Sequence, residues 1–109
     1  LSLILSGSGD ININEAECLR TEINLSGSGD INIKGSSDDA SYRISGSGNI
    51  NSGEFLVLTA SETISGSGNI FTHVVTSLAA TLSGSGNIYL KGDPMINQSI
   101  SGSGKIIRY

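Results

Sequence analysis

One tetrapeptide, Ser-Gly-Ser-Gly, recurs six times in this chain of 109 residues, and its spacing is the feature that most constrains the fold. The six copies begin at Ser6, Ser26, Ser45, Ser65, Ser83 and Ser101. Successive copies are therefore 18–20 residues apart. A regular period of this size is typical of a solenoid, in which each repeat forms one coil and contacts its neighbours. We expect about six coils of 18–20 residues.

The residues that flank the tetrapeptide are also constant. The position before it is always Leu or Ile, and the second position after it is always isoleucine. These isoleucines are Ile11, Ile31, Ile50, Ile70, Ile88 and Ile106. A flexible linker has no reason to be flanked by branched apolar residues in every copy. The tetrapeptide is therefore expected to belong to a regular structure with these isoleucines in its core.

Apolar and polar residues alternate along the second repeat, residues 22–33. An alternation with period two is typical of an extended chain with one buried face. The alternation places the motif glycines, among them Gly27, Gly29, Gly66 and Gly68, on the inward face and the serines on the outward face. Glycine in a strand costs about 0.5–1 kcal/mol relative to alanine. We therefore interpret these glycines as positions where no side chain fits, because the backbone bends or packs on the opposite wall of the coil.

These patterns predict an all-β fold, a single-stranded right-handed parallel β-helix, or β-solenoid. Parallel crossover connections are right-handed in about 98% of cases, which sets the expected hand. An antiparallel sandwich or barrel would need hairpin turns such as Asn-Gly or Asp-Gly, and neither dipeptide occurs. Residues 1–109 are expected to form one domain, which can be a fragment of a longer repeat array.

Differences in coil length are expected to lie in a turn after the second segment of each coil. These turns are predicted at residues 14–17, 34–39, 52–54, 72–73 and 91–94. A solenoid also exposes a strand edge at each end. Residues 1–5 form an apolar edge, whereas Lys105, Arg108 and Tyr109 add polar groups at the other end. Pairing of the apolar edge with a second chain would produce a homo-oligomer.

The composition argues against several functional classes. A net charge of −4 disfavours binding to nucleic acid and to anionic membranes, because both require basic patches. No apolar run approaches the roughly 18 residues of a membrane span, so this segment is not expected to insert. Cys18 and His73 are the only residues of their types. Cys18 is expected to point outward and His73 to lie in an exposed turn, and neither has the partners that a zinc site or a catalytic triad needs.

Two outward surfaces are candidates for binding a ligand. The first is a pair of serine ladders, with Ser26, Ser28, Ser45 and Ser47 among their members. The second is an acidic flank that includes Asp38, Asp39 and Glu54. Small polar residues also suit an exposed bend, and a charged edge also keeps a solenoid soluble, so both surfaces have a purely structural interpretation. The alternative interpretation is recognition of a partner along one side of the solenoid.

The position directly after the tetrapeptide is a weaker candidate for a calcium site. Asp10, Asp30 and Asn49 occupy it in the first three copies, and their oxygens are suitable Ca²⁺ ligands. The calcium-binding nonapeptide, however, recurs in tandem every nine residues, whereas the glycine-rich unit here appears once per coil. Two exposed carboxylates about 5 Å apart repel by under about 1 kcal/mol in water, so they need no metal. No metal or cofactor is expected.

The repeated Ile/Leu-Ser-Gly-Ser-Gly-Asp/Asn-Ile core resembles the head GIN domain of auto-transporter adhesins. The closing Lys-Gly-Asp-Pro and Ser-Gly-Ser-Gly-Lys-Ile stretches resemble it too, and the resemblance covers nearly the whole chain. It implies a right-handed β-helix from a surface, extracellular or periplasmic protein of a Gram-negative bacterium. We expect a non-catalytic structural or adhesive module whose ligand is a protein or a glycan. The alternative is a calcium- or carbohydrate-binding solenoid that uses the outward Ser, Asp and Asn ladders.

Overall fold

The computed structural model describes residues 2–108. Leu1 and Tyr109, which the sequence analysis placed at the two strand edges, lie outside the described residues. The described chain contains no helix and eight strands. These strands are β1 (Ser2–Leu5), β2 (Ile11–Leu25), β3 (Asp30–Ile44), β4 (Asn49–Ile64), β5 (Ile70–Leu82), β6 (Ile88–Lys91), β7 (Met95–Ile100) and β8 (Ile106–Arg108).

All eight strands pair in parallel within one sheet. The order is β1-β2-β3-β4-β5-β6-β8, and β7 also pairs with β5. Each strand therefore lies beside the strand one repeat away, as parallel stacking of successive coils requires. The predicted all-β solenoid of about six turns is confirmed. Its right-handed sense and its extent as one domain over the whole chain stay predictions.

The invariant isoleucines form one continuous column along the axis. The register pairs each isoleucine with the equivalent residue of the next coil, from Ile11 and Ile31 to Ile88 and Ile106. The four inner members have no exposed surface, because a coil covers each of them on both sides. The two outer members are only partly buried, since each has a single neighbouring coil among the described residues. The core is therefore a narrow stack of aliphatic side chains.

The predicted turns do not interrupt most of the strands. β2 to β5 run without a break from the tetrapeptide through the return segment, over 13–16 residues each. Length differences do fall near the predicted turns, but they take the form of shifts in register, for example between Ile13 and Ala16 and between Ser52 and Leu56. Such irregularities let one strand carry extra residues and bend while pairing continues on either side. A break occurs between β6 and β7, where Gly92 has a φ of 106°.

The motif glycines are required by the neighbouring coil. A Cβ placed on Gly68 would lie 1.9 Å from the carbonyl oxygen of Gly48, and one on Gly66 would lie 2.1 Å from that of Gly46. Of the two expected reasons, the backbone bend is present at Gly46 and Gly66, whereas the nearest obstruction is the preceding coil and not the opposite wall. The backbones stack closely at this corner because the coils bond to each other there. The N–H of Ser67, for example, donates to Gly46 O at 3.2 Å.

Candidate functional site

The residues proposed for calcium form a hydrogen-bonded ladder between coils. Oδ1 of Asp10 accepts from the backbone N–H of Asp30 at 3.1 Å, and Oδ1 of Asp30 accepts from that of Asn49 at 3.2 Å. The backbone N–H groups of Asn69, Asn87 and Lys105 donate in the same way, at 3.0–3.1 Å, to Oδ1 of the asparagine at this position in the preceding coil. The described residues contain no group of three or more His, Cys, Asp or Glu side chains that could hold a metal ion. These oxygens therefore join the coils to one another.

A second outward ladder lies two positions further along each coil. The Nδ2 groups of Asn32 and Asn51 each donate to Oδ1 of the preceding asparagine at 2.8 Å. In the next two coils the same column holds Phe71 and Tyr89, whose rings stack with centroids 4.6 Å apart and planes inclined by 11°. The sequence analysis missed this column. Reading the residue after each invariant isoleucine would have found it.

The serines of the tetrapeptide lie on an exposed corner of the solenoid. Ser26, Ser28, Ser45 and Ser47 are all exposed. Their backbone groups contribute to the stacking of the coils, since the N–H of Ser26 donates to Leu5 O and that of Ser45 donates to Leu25 O, both at 2.9 Å. The corner is thus fixed through its backbone, and it presents small hydroxyl groups to solvent.

The acidic residues do not form one continuous flank. Asp38 and Asp39 lie together on the return segment of β3, where Asp39 pairs in register with Arg20 and Thr59. The Thr59 hydroxyl donates to the Asp39 carboxylate. Glu54 lies further back along β4, where its Oε2 is 3.2 Å from Nζ of Lys34. Both ends of this ion pair are more than half exposed, so it contributes little to stability.

Several shallow grooves open onto the outer surface, and two of them lie on the central coils. The first, of about 330 Å³, crosses the return segments of three coils and is lined by Arg20, Glu22, Asp39, Ser41, Thr59 and Ser61, with the small Ala40 and Ala60 between them. The second, of about 310 Å³, crosses β3, β4 and β5 and is lined by Asn32, Lys34, Asn51, Glu54 and Phe71. Hydroxyl and charged groups line the first groove, and amide and charged groups line the second. Both grooves can therefore hydrogen-bond a polar ligand.

A polar cluster lies inside the core of the central coils. Tyr42 and Glu62 pair in register across β3 and β4, and Ser52 and Thr72 pair across β4 and β5. Tyr42 is 1% exposed and the other three residues are fully buried. The Ser52 hydroxyl donates to Phe71 O at 2.6 Å. Among the described residues, Tyr42 Oη, both Glu62 carboxyl oxygens and Thr72 Oγ1 have no hydrogen-bond partner.

The buried position changes the acidity of both titratable groups in this cluster. Burial raises the pKa of Glu62 from 4.5 to about 8, and the nearby Thr72 hydroxyl opposes this rise without forming a well-aligned hydrogen bond. Burial, and then the charge of Glu62, raise the pKa of Tyr42 well above its usual value, while the Ser52 hydroxyl lowers it. The sequence analysis missed this cluster, although a glutamate in the same column as Ile23 was a usable signal.

Cys18 and His73 differ from their expected positions. Cys18 is partly buried and packs against the core, whereas the next residue, Leu19, is 78% exposed. The expected parity of this segment was wrong because the alternation breaks between Cys18 and Thr21, two inward residues separated by the exposed Leu19 and Arg20. His73 is also partly buried and lies within β5, where it pairs with Lys91, so it is not an exposed turn residue.

Comparisons with known proteins identify the family. Residues 2–108 contain no helix of the length and apolar character needed to cross a bilayer. Searches of curated proteins and of solved structures found no match. A family model described as "Putative auto-transporter adhesin, head GIN domain" matches residues 1–94, which is most of the chain. The description associates the family with adhesins and so implies a surface or extracellular location. The chain therefore belongs to the auto-transporter adhesin head GIN domain family.

Proposed function

We propose that this domain is a non-catalytic structural or adhesive module displayed on, or secreted from, a Gram-negative bacterium. Membership of a family described as an adhesin head domain supports this proposal. The solenoid supports it as well, because stacked coils offer an extended, repetitive surface of the kind that solenoid proteins use for recognition.

The observation that carries the proposal is the placement of polar side chains on the outer surface. Solenoids recognise partners through extended surfaces built from equivalent positions of neighbouring coils. The groove of about 330 Å³ carries hydroxyl and charged groups on three neighbouring coils, and Ser41 and Ser61 repeat there in register. Glu62 and Tyr42, whose pKa values are raised by burial, lie in the core and not on this surface.

The groove of about 330 Å³ is the surface we propose for ligand contact. Ser41 and Ser61 pair in register on adjacent coils and are both exposed. The small side chains of Ala40 and Ala60 leave room at the floor, and Asp39 supplies a carboxylate at one side. A glycan or a polar protein loop can bind there through hydrogen bonds to hydroxyl and carboxylate groups. The serine corner and Asp38 are alternative contact surfaces.

A binding screen with two double variants tests this proposal. The domain is tested against a panel of glycans and of host-matrix proteins. Ser41→Arg with Ser61→Arg fills the groove, and Ser26→Arg with Ser45→Arg makes the same changes on the exposed corner as a matched control. We expect at least one ligand, with affinity reduced at least tenfold by the groove variant and less by the control. Circular dichroism verifies that both variants fold.

The two parts of the proposal fail in different ways. If no member of either panel binds the wild-type domain, the adhesive function is wrong. If a ligand binds but both variants bind it as the wild type does, the groove is not the contact surface. A stronger loss in the corner variant would assign the ligand to the serine ladders.

A further inference from the structure

The core of this protein contains a carboxyl group that has no buried positive charge to pair with. Glu62 is fully buried, and the other buried polar residues of the described chain are Thr21, Ser37, Ser52 and Thr72. An ionised carboxylate is expensive to bury without a cation or several hydrogen-bond donors. Neither carboxyl oxygen has a hydrogen-bond partner among the described residues. The folded chain therefore favours the protonated form of Glu62.

The groups that face Glu62 reinforce this preference. From β3, the phenol of Tyr42 lies opposite it in register and is the one titratable group that faces it. From β5, Ala80 pairs with it and Thr72 approaches it, and neither carries a charge. On β4 itself, Ser52 is buried on the same inner side. None of these side chains can neutralise a carboxylate.

We propose that Glu62, together with Tyr42, Ser52 and Thr72, forms an internal proton-binding site that makes the central coils of the solenoid sensitive to alkaline pH. The site joins three consecutive long strands, β3, β4 and β5, because its members belong to all three. Loss of the proton places an unpaired charge between these strands. The folded state must then hydrate the charge or separate the coils.

Other coils show that the fold does not require a polar group at this position. The same column holds Leu3 and Ile23 before Tyr42, and Ala80 and the exposed Gln98 after Glu62. An aliphatic side chain there packs within the same backbone register. The polar cluster is therefore an addition to the repeat, and its removal by substitution tests the pH response without abolishing the architecture.

The direction of the pH response follows from the two protonation states. Burial raises the pKa of Glu62 in the folded chain to about 8, against 4.5 for the ordinary carboxyl group. The folded state therefore binds the proton more tightly than the unfolded state, and the stabilisation is complete below pH 4.5. Between pH 4.5 and about pH 8, the two pKa values of Glu62, the equilibrium constant for unfolding rises roughly tenfold for each pH unit. Above about pH 8 the stabilisation by the proton is lost.

Urea unfolding between pH 5 and pH 9 tests the site. We expect the unfolding constant of the wild type to rise by roughly 10³-fold across this range, as linkage requires for a shift of this size. Glu62→Gln should remove most of this dependence, because the amide does not titrate. Glu22→Gln is the matched control, since Glu22 is an exposed glutamate in a β-strand. This variant should retain the wild-type dependence of the unfolding constant on pH.

A direct titration keeps the proposal testable if Glu62→Gln does not fold. The carboxyl ¹³C resonance of Glu62 in the wild type is followed by NMR from pH 4 to pH 9. A midpoint well above 4.5, near 8, supports the site. A midpoint near 4.5, or a wild-type pH dependence that Glu62→Gln leaves intact, would overturn it.

Discussion

The stacking of glycine on glycine leads to a sharp prediction about two equivalent positions. Gly9 and Gly68 are both the second glycine of the tetrapeptide, in the first and fourth copies. A Cβ on Gly68 would lie 1.9 Å from Gly48 O and 2.9 Å from Ile44 Cγ2. A Cβ on Gly9 would meet only Leu5 Cδ1, at 3.9 Å, which is an ordinary contact. The substitution Gly→Ala should therefore have opposite effects at the two sites.

The magnitude at Gly68 follows from the distance that must be gained. Moving the Cβ from 1.9 Å to an ordinary contact requires the two coils to separate locally by about 1.5 Å. Hydrogen bonds between these two coils, such as those from Ser67 N–H to Gly46 O at 3.2 Å and from Asn69 N–H to Asn49 Oδ1 at 3.1 Å, would break. Each unpaired buried group costs about 1–3 kcal/mol, so loss of two gives about 2–6 kcal/mol. Domains of this kind have a total stability of about 5–15 kcal/mol.

Equilibrium urea unfolding, monitored by far-ultraviolet circular dichroism at 25 °C, measures both variants. Gly68→Ala should lose about 2–6 kcal/mol. Gly9→Ala should be neutral or gain about 0.4–1 kcal/mol, because alanine restricts the unfolded chain. Equal free energies of unfolding for the two variants would refute the reasoning, since it depends entirely on the coil that precedes Gly68 and on the open space beside Gly9.

Three further predictions concern the outer columns. Gly66→Val should lower the melting temperature strongly, because its side chain would clash with the preceding coil. Ser65→Thr, at an exposed position, should change the free energy of unfolding by less than about 0.5 kcal/mol. Similar melting temperatures for the two variants would contradict this prediction. Asn49→Leu should lower the free energy of unfolding in urea by about 1–3 kcal/mol, because Oδ1 of Asn49 accepts from the backbone N–H of Asn69 in the next coil. An unchanged urea midpoint would contradict a stabilising role for this ladder. Calcium should not change the melting temperature, since Oδ1 of Asp10 and Oδ1 of Asp30 already accept hydrogen bonds from the next coil. A melting temperature that rises with calcium concentration would contradict this and support a calcium site at these residues.

The repeat alone was sufficient to predict the coil and the column of isoleucines in its core. A period of 18–20 residues, with isoleucine at one fixed position, is compatible with few arrangements other than parallel stacking of equivalent segments. Once the coils stack, each position in a repeat lies beside its equivalent, so the column of isoleucines follows directly. This inference required no knowledge of side-chain contacts, because it depends on periodicity, which is a property of the sequence.

The neighbours of residues outside the regular segments depend on the register between adjacent strands. The sequence does not show this register. The shift between Ser52 and Leu56 decides how the two halves of β4 align with β5. The acidic residues illustrate the consequence, since Glu54 lies beside Lys34 and apart from Asp38 and Asp39. The sequence analysis grouped these residues because it assumed that all turns occupy one equivalent position.

The sequence by itself determined the parallel solenoid, its number of coils and its isoleucine core, because a strict repeat forces equivalent residues into contact. Tertiary structure decided why Gly68 must be glycine, since the obstructing atom belongs to the coil before it. The repeat makes Tyr42 and Glu62 equivalent positions, but only the tertiary structure shows that both are buried without a hydrogen-bond partner for the phenol or the carboxyl group. Sequence periodicity specifies which residues are equivalent, whereas the bending of each coil specifies which atoms they meet.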